Sequence, residues 1–362
     1  MDSPHQHELQ TAIAAVQRAA HLSKAVLAAA GDRVSHIAKD DHSPVTVADF
    51  AVQALLTAAL TAAFPGDAFV GEETADDLRA NPALLDRVWT VLKEVAADTD
   101  LAESDGAPQI PDSPERLCTL VDRAGLGVPG TGRVWVFDPI DGTQTFLRGE
   151  IYAINACLLV DGEQTVAVVG LPNLSPQATY PVTDQSVDPD PKGGSILYGV
   201  RGRGAFRRPL AGPAGLVGDR LPRHEGTPEK LRFVTSTAAG SSSPGVNEKV
   251  AARLGMEYPG NDLLGWVPRW ATLAMGYANV TVWAYARRER QGKIWDHAGA
   301  MLLFEEVGGK VTDVDGKAPD LKVGRKMVSN YGWVAAPPGI HGRVLETVRE
   351  VLREGGQGHL LR

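Results

Sequence analysis

The chain has 362 residues, 43% of them hydrophobic and 22% charged, with a formal net charge of −8. That length suits one large α/β domain or two intimate ones. The acidic balance argues against a nucleic-acid polymer as the main partner, because such binders carry a basic surface, and leaves open a small anionic substrate whose charge a metal cluster neutralises.

Leu9, Ile13, Val16, Ala20, Val26 and Leu27 recur at helical spacing and predict an amphipathic helix over 7–30, with Gly31 as its C-cap. After the polar stretch 39–44, a second helix is expected over about 48–63, stopped near Pro65-Gly66. Ala68–Val70 reads as a short strand that runs into Gly71-Glu72-Glu73. Residues 98–116 are acidic and rich in Pro, Ser and Gly, and are expected to form an exposed, mobile insertion.

Arg133–Phe137 reads as a buried strand that delivers Asp138-Pro139-Ile140-Asp141-Gly142-Thr143. Strands are expected over 152–160 and 164–170, joined by the hairpin signal Asp161-Gly162. A long polar loop follows over 172–194, then strands 195–200 and 204–207 around the turn Arg201-Gly202-Arg203. A phosphate loop at Arg201–Gly204 is the lesser reading of that turn. The later part predicts a strand over 231–236, helices over 246–254 and 270–279, and a strand over 280–284. A basic loop with Arg287, Arg288, Arg290 and Lys293 comes next, then a helix over about 296–307 ended by Gly308-Gly309, and a terminal helix over about 340–354. Irregular alternation of helices and strands makes the class α/β or layered α+β rather than a regular barrel.

The two cysteines, Cys118 and Cys157, have no CxxC spacing and no partnering His, and are expected as buried free thiols in a reducing compartment. The polar start MDSPHQHELQ lacks a basic-then-apolar signal, and no apolar run approaches ~18 residues. A cytoplasmic protein without a membrane span is the expectation.

The 138–143 segment carries the chemistry. Two acids three residues apart stand at the end of a buried strand, where open α/β sheets place their sites. At neutral pH two close carboxylates repel and want a cation between them. Oxygen ligands without His or Cys at metal spacing point to Mg²⁺ or Mn²⁺ rather than Zn²⁺. Gly142-Thr143 would open a helix whose free N–H groups can hold a phosphate. Taken alone, the segment fits equally well a capped helix with Asp141 as N-cap. Asp49, Glu72-Glu73 and Asp296 stand in similar settings, each readable singly as a cap or a solvated acid.

Taken together, KDDHSPVTVADFAVQ (39–53), FPGDAFVGEE (64–73), DPIDGTQTFLRGEIYAI (138–154), GLPNL (170–174), KIWDHAGA (293–300) and EEVGGKVTD (305–313) resemble the inositol monophosphatase superfamily of Mg²⁺-dependent, Li⁺-sensitive phosphatases. Within it the chain is most similar to the 3′(2′),5′-bisphosphate nucleotidase branch. The resemblance implies a layered αβαβα sugar-phosphatase-type fold with two subdomains: 1–175 with most metal ligands, connecting strands and loops over 176–230, and 231–362 with Asp296. It implies two or three Mg²⁺ ions held by Glu72, Asp138, the Ile140 carbonyl, Asp141 and Asp296. Asp49 and Thr143 would polarise the attacking water, and Gly142 and Thr143 would meet the phosphate. Asp296 is expected within ~10 Å of Asp138, because Mg²⁺ ligand oxygens sit at only ~2.1 Å from the ion.

The nucleotide-binding half departs from that branch. Ala238–Ser243 stands where a His-Ser-Ser-His type segment is expected, Arg269 where a Lys is, and Trp283 where an Arg is. Ser241, Ser242, Arg269 and Lys293 remain the candidate substrate residues. Trp266, Trp270 and Trp283 read as core rather than as a base-stacking platform. His297 reads as a support for Asp296 or an ordinary helix residue. The expected substrate is adenosine 3′,5′-bisphosphate, with an inositol phosphate or specialised-metabolite phosphate, or a non-catalytic nucleotide-binding role, as the alternatives.

Overall fold

The computed structural model describes residues 4–30, 36–38, 44–96, 110–213, 217–224 and 226–362. Gly31, the polar stretch 39–43 and most of the expected insertion lie outside these residues.

In chain order the elements begin with α1 (Gln6–Ala30), β1 (His36–Ala38), β2 (Pro44–Thr46), α2 (Val47–Ala63) and β3 (Ala68–Gly71). Next come α3 (Asp76–Ala80), α4 (Pro82–Ala96), α5 (Pro114–Gly125), β4 (Arg133–Asp141) and α6 (Thr143–Leu147). Strands β5 (Ala153–Val160), β6 (Glu163–Leu171), β7 (Ser195–Val200), β8 (Gly204–Pro209), β9 (Asp219–Arg220) and β10 (Val234–Thr235) follow. The chain continues through α7 (Val246–Arg253), β11 (Asn261–Asp262), α8 (Trp266–Ala274), β12 (Thr281–Trp283) and a 3₁₀ turn at Ile294–Asp296. It closes with α9 (Ala298–Glu306), β13 (Lys310–Thr312), β14 (Trp333–Ala336), α10 (Pro338–Glu354) and a 3₁₀ turn at Gly358–Leu360.

Strands β3 to β9 form one seven-stranded sheet in sequence order. Its first pair, β3 and β4, is parallel, and the rest are antiparallel. Side chains alternate across it. Trp135, Phe137, Leu158, Val166 and Val168 join one core cluster with α1 and α2. Val134, Val136, Cys157, Leu159, Ala167 and Val169 join the other, with the residues after 233. Helices α8 and α9 pack on that second face, and beyond them lie the three-stranded sheet β12-β14-β13 and the parallel pair β10-β11. Helix α10 covers β14 and α7 packs on α10, which completes the expected αβαβα layering. Strands β7 to β9 continue the same large sheet as β3 to β6.

Several expectations shift. Helix α5 begins at Pro114, inside the expected insertion: Ser113 caps it by accepting from the Arg116 N–H, and Pro114 sits at its first position, where proline starts rather than breaks a helix. Pro82 opens α4 in the same way. The expected strand 231–236 shrinks to Val234–Thr235. The helix expected over 270–279 starts earlier, at Trp266, and ends at Ala274, before Gly276, whose φ is +77°. The helix expected from 296 starts at Ala298.

The Arg201–Gly204 segment is a turn and not a phosphate loop. Both Oε atoms of the Glu306 carboxylate accept from its N–H groups, Gly202 N and Gly204 N, at 2.7 Å each. Glu306→Ala leaves two amide donors without their carboxylate. Hydrogen bonds to charged groups are worth about 1.5–3 kcal/mol each, and the part-exposed Gly202 N–H regains water in the variant, so the expected loss is about 2–4 kcal/mol in urea unfolding. A loss under about 0.5 kcal/mol would show that the turn is set by its own backbone.

Candidate metal centre

Strand β4 places the first two acids. On a regular strand, residues three apart point to opposite faces. Here the register slips: Asp138 pairs with Asn155 and Asp141 with Ala153, so three steps on β4 face two on β5. This one-residue bulge at Pro139-Ile140 turns both carboxylates to the same side. Gly142 then takes φ +89°, and α6 begins at Thr143. That helix is only five residues long, so it lacks the macrodipole expected of a phosphate-holding helix.

Asp296 arrives from the other side of the molecule. Asn155, the pairing partner of Asp138, donates from Nδ2 to the Trp295 carbonyl at 2.6 Å and so fixes the 3₁₀ turn that carries Asp296. Oxygens of Asp138, Asp141 and Asp296 all lie within 4.8 Å of one another, well inside the expected limit. Asp138 and Asp141 are buried and Asp296 half-buried.

Asp141 also ties the two parts of the chain together. Its Oδ2 accepts the Val267 N–H at 2.6 Å, at the first turn of α8, 126 residues away. Gly265, the residue before that helix, is needed for the approach: a Cβ there would lie 2.6 Å from Asp141 Oδ2.

Glu72 stands at the end of β3. Gln53 holds its turn through three bonds: Nε2 to the carbonyls of Glu73 (2.6 Å) and Val121 (2.9 Å), and Oε1 from the Glu73 N–H (2.8 Å). Arg325 clamps the same turn from the distant end of the chain, donating to Gly71 O at 2.7 Å and Gly127 O at 3.0 Å. Sequence reading assigned neither residue a role, although Gln53 lies inside one of the quoted stretches. Lys293, expected to meet substrate, pairs with Glu72 Oε1 at 3.1 Å.

Asp49 closes a capping box. Thr46 accepts from the Asp49 N–H, and Asp49 Oδ2 accepts from the Thr46 N–H at 2.8 Å and from the Thr46 hydroxyl. The N-cap is thus Thr46, with Asp49 as its partner at the third helical position and not itself the N-cap or a solvated acid, while the Asp49 charge also acts on Asp138. Strand β2, which carries Thr46, packs beside α6, where Thr143 Oγ1 donates to the Ile140 carbonyl at 3.3 Å.

The electrostatics are those of a crowded, buried set of acids. Burial, then the charges of Glu72, Asp141, Asp296 and Asp49, hold Asp138 well above the usual carboxylate range. Burial raises Asp141 to about 7, against the opposing pull of the Val267 N–H and the Arg269 charge. Asp296 is raised by burial and by Asp141 and Glu72, with Lys293 and Arg290 acting the other way. A divalent cation removes this strain, and the all-oxygen donor set fits one.

Arg269 corrects the sequence reading. It is 1% exposed, lies between the rings of Trp266 (4.1 Å) and Trp283 (4.6 Å), and donates to the carbonyls of Leu263 (2.9 Å) and Leu264 (2.6 Å). Burial lowers it to about 10. It positions the turn before α8 from the inside of the protein. Trp270 and Trp283 are fully buried, as the core reading requires. His297 is buried too, accepting from Trp270 Nε1 at 3.1 Å, and burial lowers it to about 3, so it is a neutral packing residue. Ser241 and Ser242 run alongside Tyr285 and Ala286, with Ser241 O accepting the Ala286 N–H at 3.2 Å.

Asp138→Asn removes a carboxylate that folding must either keep charged beside its neighbours or protonate. Without divalent metal the variant is expected to unfold at a temperature about 2 °C higher, the equivalent of about 1 kcal/mol. Wild type should gain about 2.7 kcal/mol at a hundredfold excess of metal over its Kd, and Asp138→Asn should lose most of that gain. An unaltered metal-induced shift would remove Asp138 from the ligand set.

The sequence model of the inositol monophosphatase family matches residues 5–353. The chain is 36% identical over 348 residues to the 3′(2′),5′-bisphosphate nucleotidase of Schizosaccharomyces pombe, covering 95% of each. It is 33% identical over 355 residues to that of Emericella nidulans, covering 96% of this chain and 99% of the relative. The Thermotoga maritima IMPase shares the fold with a TM-score of 0.58 at 20% identity, covering 96% of this chain and 99% of that one. The carboxylate-bearing stretches and the full-length match agree: the chain belongs to the inositol monophosphatase family.

Proposed function

We propose that this chain is a Mg²⁺-dependent phosphatase acting on a nucleoside 3′,5′-bisphosphate such as adenosine 3′,5′-bisphosphate. The observation that carries the reading is the meeting of Asp138, Asp141 and Asp296 within 4.8 Å, from distant parts of the chain. That arrangement costs electrostatic energy and makes sense for metal-assisted hydrolysis. It also favours catalysis over a purely nucleotide-binding role. Full-length relatives named 3′(2′),5′-bisphosphate nucleotidase support the substrate class.

Asp138, Asp141, Asp296, Glu72 and the Ile140 carbonyl would hold two or three Mg²⁺ ions, which supply Lewis acidity toward water and the leaving oxygen. Thr143, with Asp49 nearby, would orient the attacking water, and Gly142 and Thr143 would contact the phosphate. Among the described residues, Cys118 and Cys157 are buried free thiols whose burial raises them further from ionisation, so neither suits a nucleophile. Direct in-line attack by water is the route this reading implies.

A second negative group on the substrate has a counterpart in this chain. Arg290 acts electrostatically on Asp296 from the basic loop, and Ser241 and Ser242 border the same loop at Tyr285–Ala286. No helix among the described residues is long and apolar enough to cross a membrane; free thiols and an acidic charge support a cytoplasmic enzyme without a nucleic-acid polymer partner.

With Mg²⁺, phosphate release from adenosine 3′,5′-bisphosphate is expected to exceed that from inositol 1-phosphate at least tenfold in kcat/KM. The reverse order would move the assignment to inositol phosphates, and no Mg²⁺-dependent turnover on any monoester would remove the enzyme reading. Thr143→Ala should lower kcat by about 10²–10⁴-fold, the usual worth of proton-transfer assistance, with little change in KM. A pure KM effect would make Thr143 a phosphate anchor instead. Li⁺ should inhibit at fixed Mg²⁺ while equal K⁺ does not, since Li⁺ resembles Mg²⁺ in size with half its charge. Equal rates in the two salts would weaken the nucleotidase assignment.

A further inference from the structure

The basic loop between Tyr285 and Asp296 has two sides. Arg290 and Lys293 act on Asp296. Arg287 and Arg288 instead line a cavity of about 840 Å³ on the other side, together with Lys317, His359 and Arg362. None of Glu72, Asp138, Asp141 or Asp296 reaches this cavity.

Its floor is prebuilt. Arg288 lies 4.8 Å over the Tyr331 ring and bonds to the Asp315 carboxylate and the Leu360 carbonyl. Its side chain is 19% exposed and that of Asp315 is 2% exposed. Asp315 also accepts the Arg362 N–H at 3.0 Å. The ion pair thus fixes the loop to the end of the chain. The Tyr331 hydroxyl donates to the Tyr285 carbonyl, which also accepts from Ser243 Oγ at 3.0 Å, so the wall is tied to the stem of the loop.

The other basic side chains of the wall are not consumed in this way. Among the described residues, the side chains of Arg287, Lys317 and His359 make no hydrogen bond or ion pair. Glu289 is the carboxylate side chain among the lining residues, and Asp315, engaged by Arg288, also feels the Lys317 charge. A concave site with unpaired cations, in a chain of net charge −8, concentrates anions. Guanidinium groups favour phosphate and sulfate geometry over a point charge, and the cavity has room for more than a bare ion.

We propose that this cavity is a second anion site. It takes a phosphate- or sulfate-bearing small molecule without help from a metal, separately from the carboxylate centre.

The test is equilibrium dialysis of the full chain with radiolabelled orthophosphate, and with adenosine 5′-monophosphate in a parallel arm, both in EDTA so that the carboxylate centre holds no metal. Saturable binding of either compound is expected, weakened at least tenfold in Arg287→Glu/Lys317→Glu, whose two side chains are exposed and whose fold should survive. Tighter binding of the monophosphate would identify an esterified metabolite as the occupant, and tighter binding of orthophosphate the free ion. Absence of saturable metal-free binding overturns the proposal, as does binding that the double variant leaves unchanged. Neither result bears on Mg²⁺-dependent turnover, so failure here is distinct from failure of the phosphatase reading.

Discussion

Repulsion among buried carboxylates is the constraint on which the rest of this structure depends. Asp138, Asp141 and Asp296 are held with oxygens inside 4.8 Å, and burial drives each toward its protonated form. Left to itself such a cluster would spread apart. It persists because each member is fixed by a rigid element: a bulged strand for Asp138 and Asp141, and for Asp296 a 3₁₀ turn bonded to Asn155. A cation among the three carboxylates would offset that repulsion.

The same restraints join the two halves of the chain. Asp141 accepts from the first turn of α8, while Arg269 on that helix reaches back to the carbonyls of Leu263 and Leu264. Arg325, far along the chain, holds the Glu72 turn at the end of β3. Asp141, the turn of Asp296 and the turn of Glu72 are therefore each braced by a residue distant in sequence. The long-range packing of the αβαβα layers and the geometry of the site are one problem with one solution.

How much of this was legible depended on whether the signal was local. The acids of 138–141 announce themselves by pairing at the end of an apolar strand, and Asp296 by standing with Trp295 in a quoted stretch. The main helices and central strands followed from their periodicity. Local punctuation misled at Pro114, a residue that usually marks a loop but here sits at the first position of a helix. The bracing residues were hidden for a different reason. Gln53, Asn155, Glu306 and Arg325 work through partners 20 to 254 residues away, and nothing beside them in the chain reveals those partners. Arg269 was misplaced because an Arg in the position of a substrate Lys looks exposed on paper. Two flanking tryptophans take it inside.

Diffraction from crystals grown with Mn²⁺, recorded for its anomalous signal, tests the central claim most directly. Mn²⁺ accepts the same oxygen ligands as Mg²⁺ and locates itself without assumptions about the substrate. The account requires an anomalous peak among Asp138, Asp141 and Asp296, with a further peak near Glu72. A chain that binds no Mn²⁺ there, while its carboxylates stay together, would contradict the view that the cluster exists to hold metal.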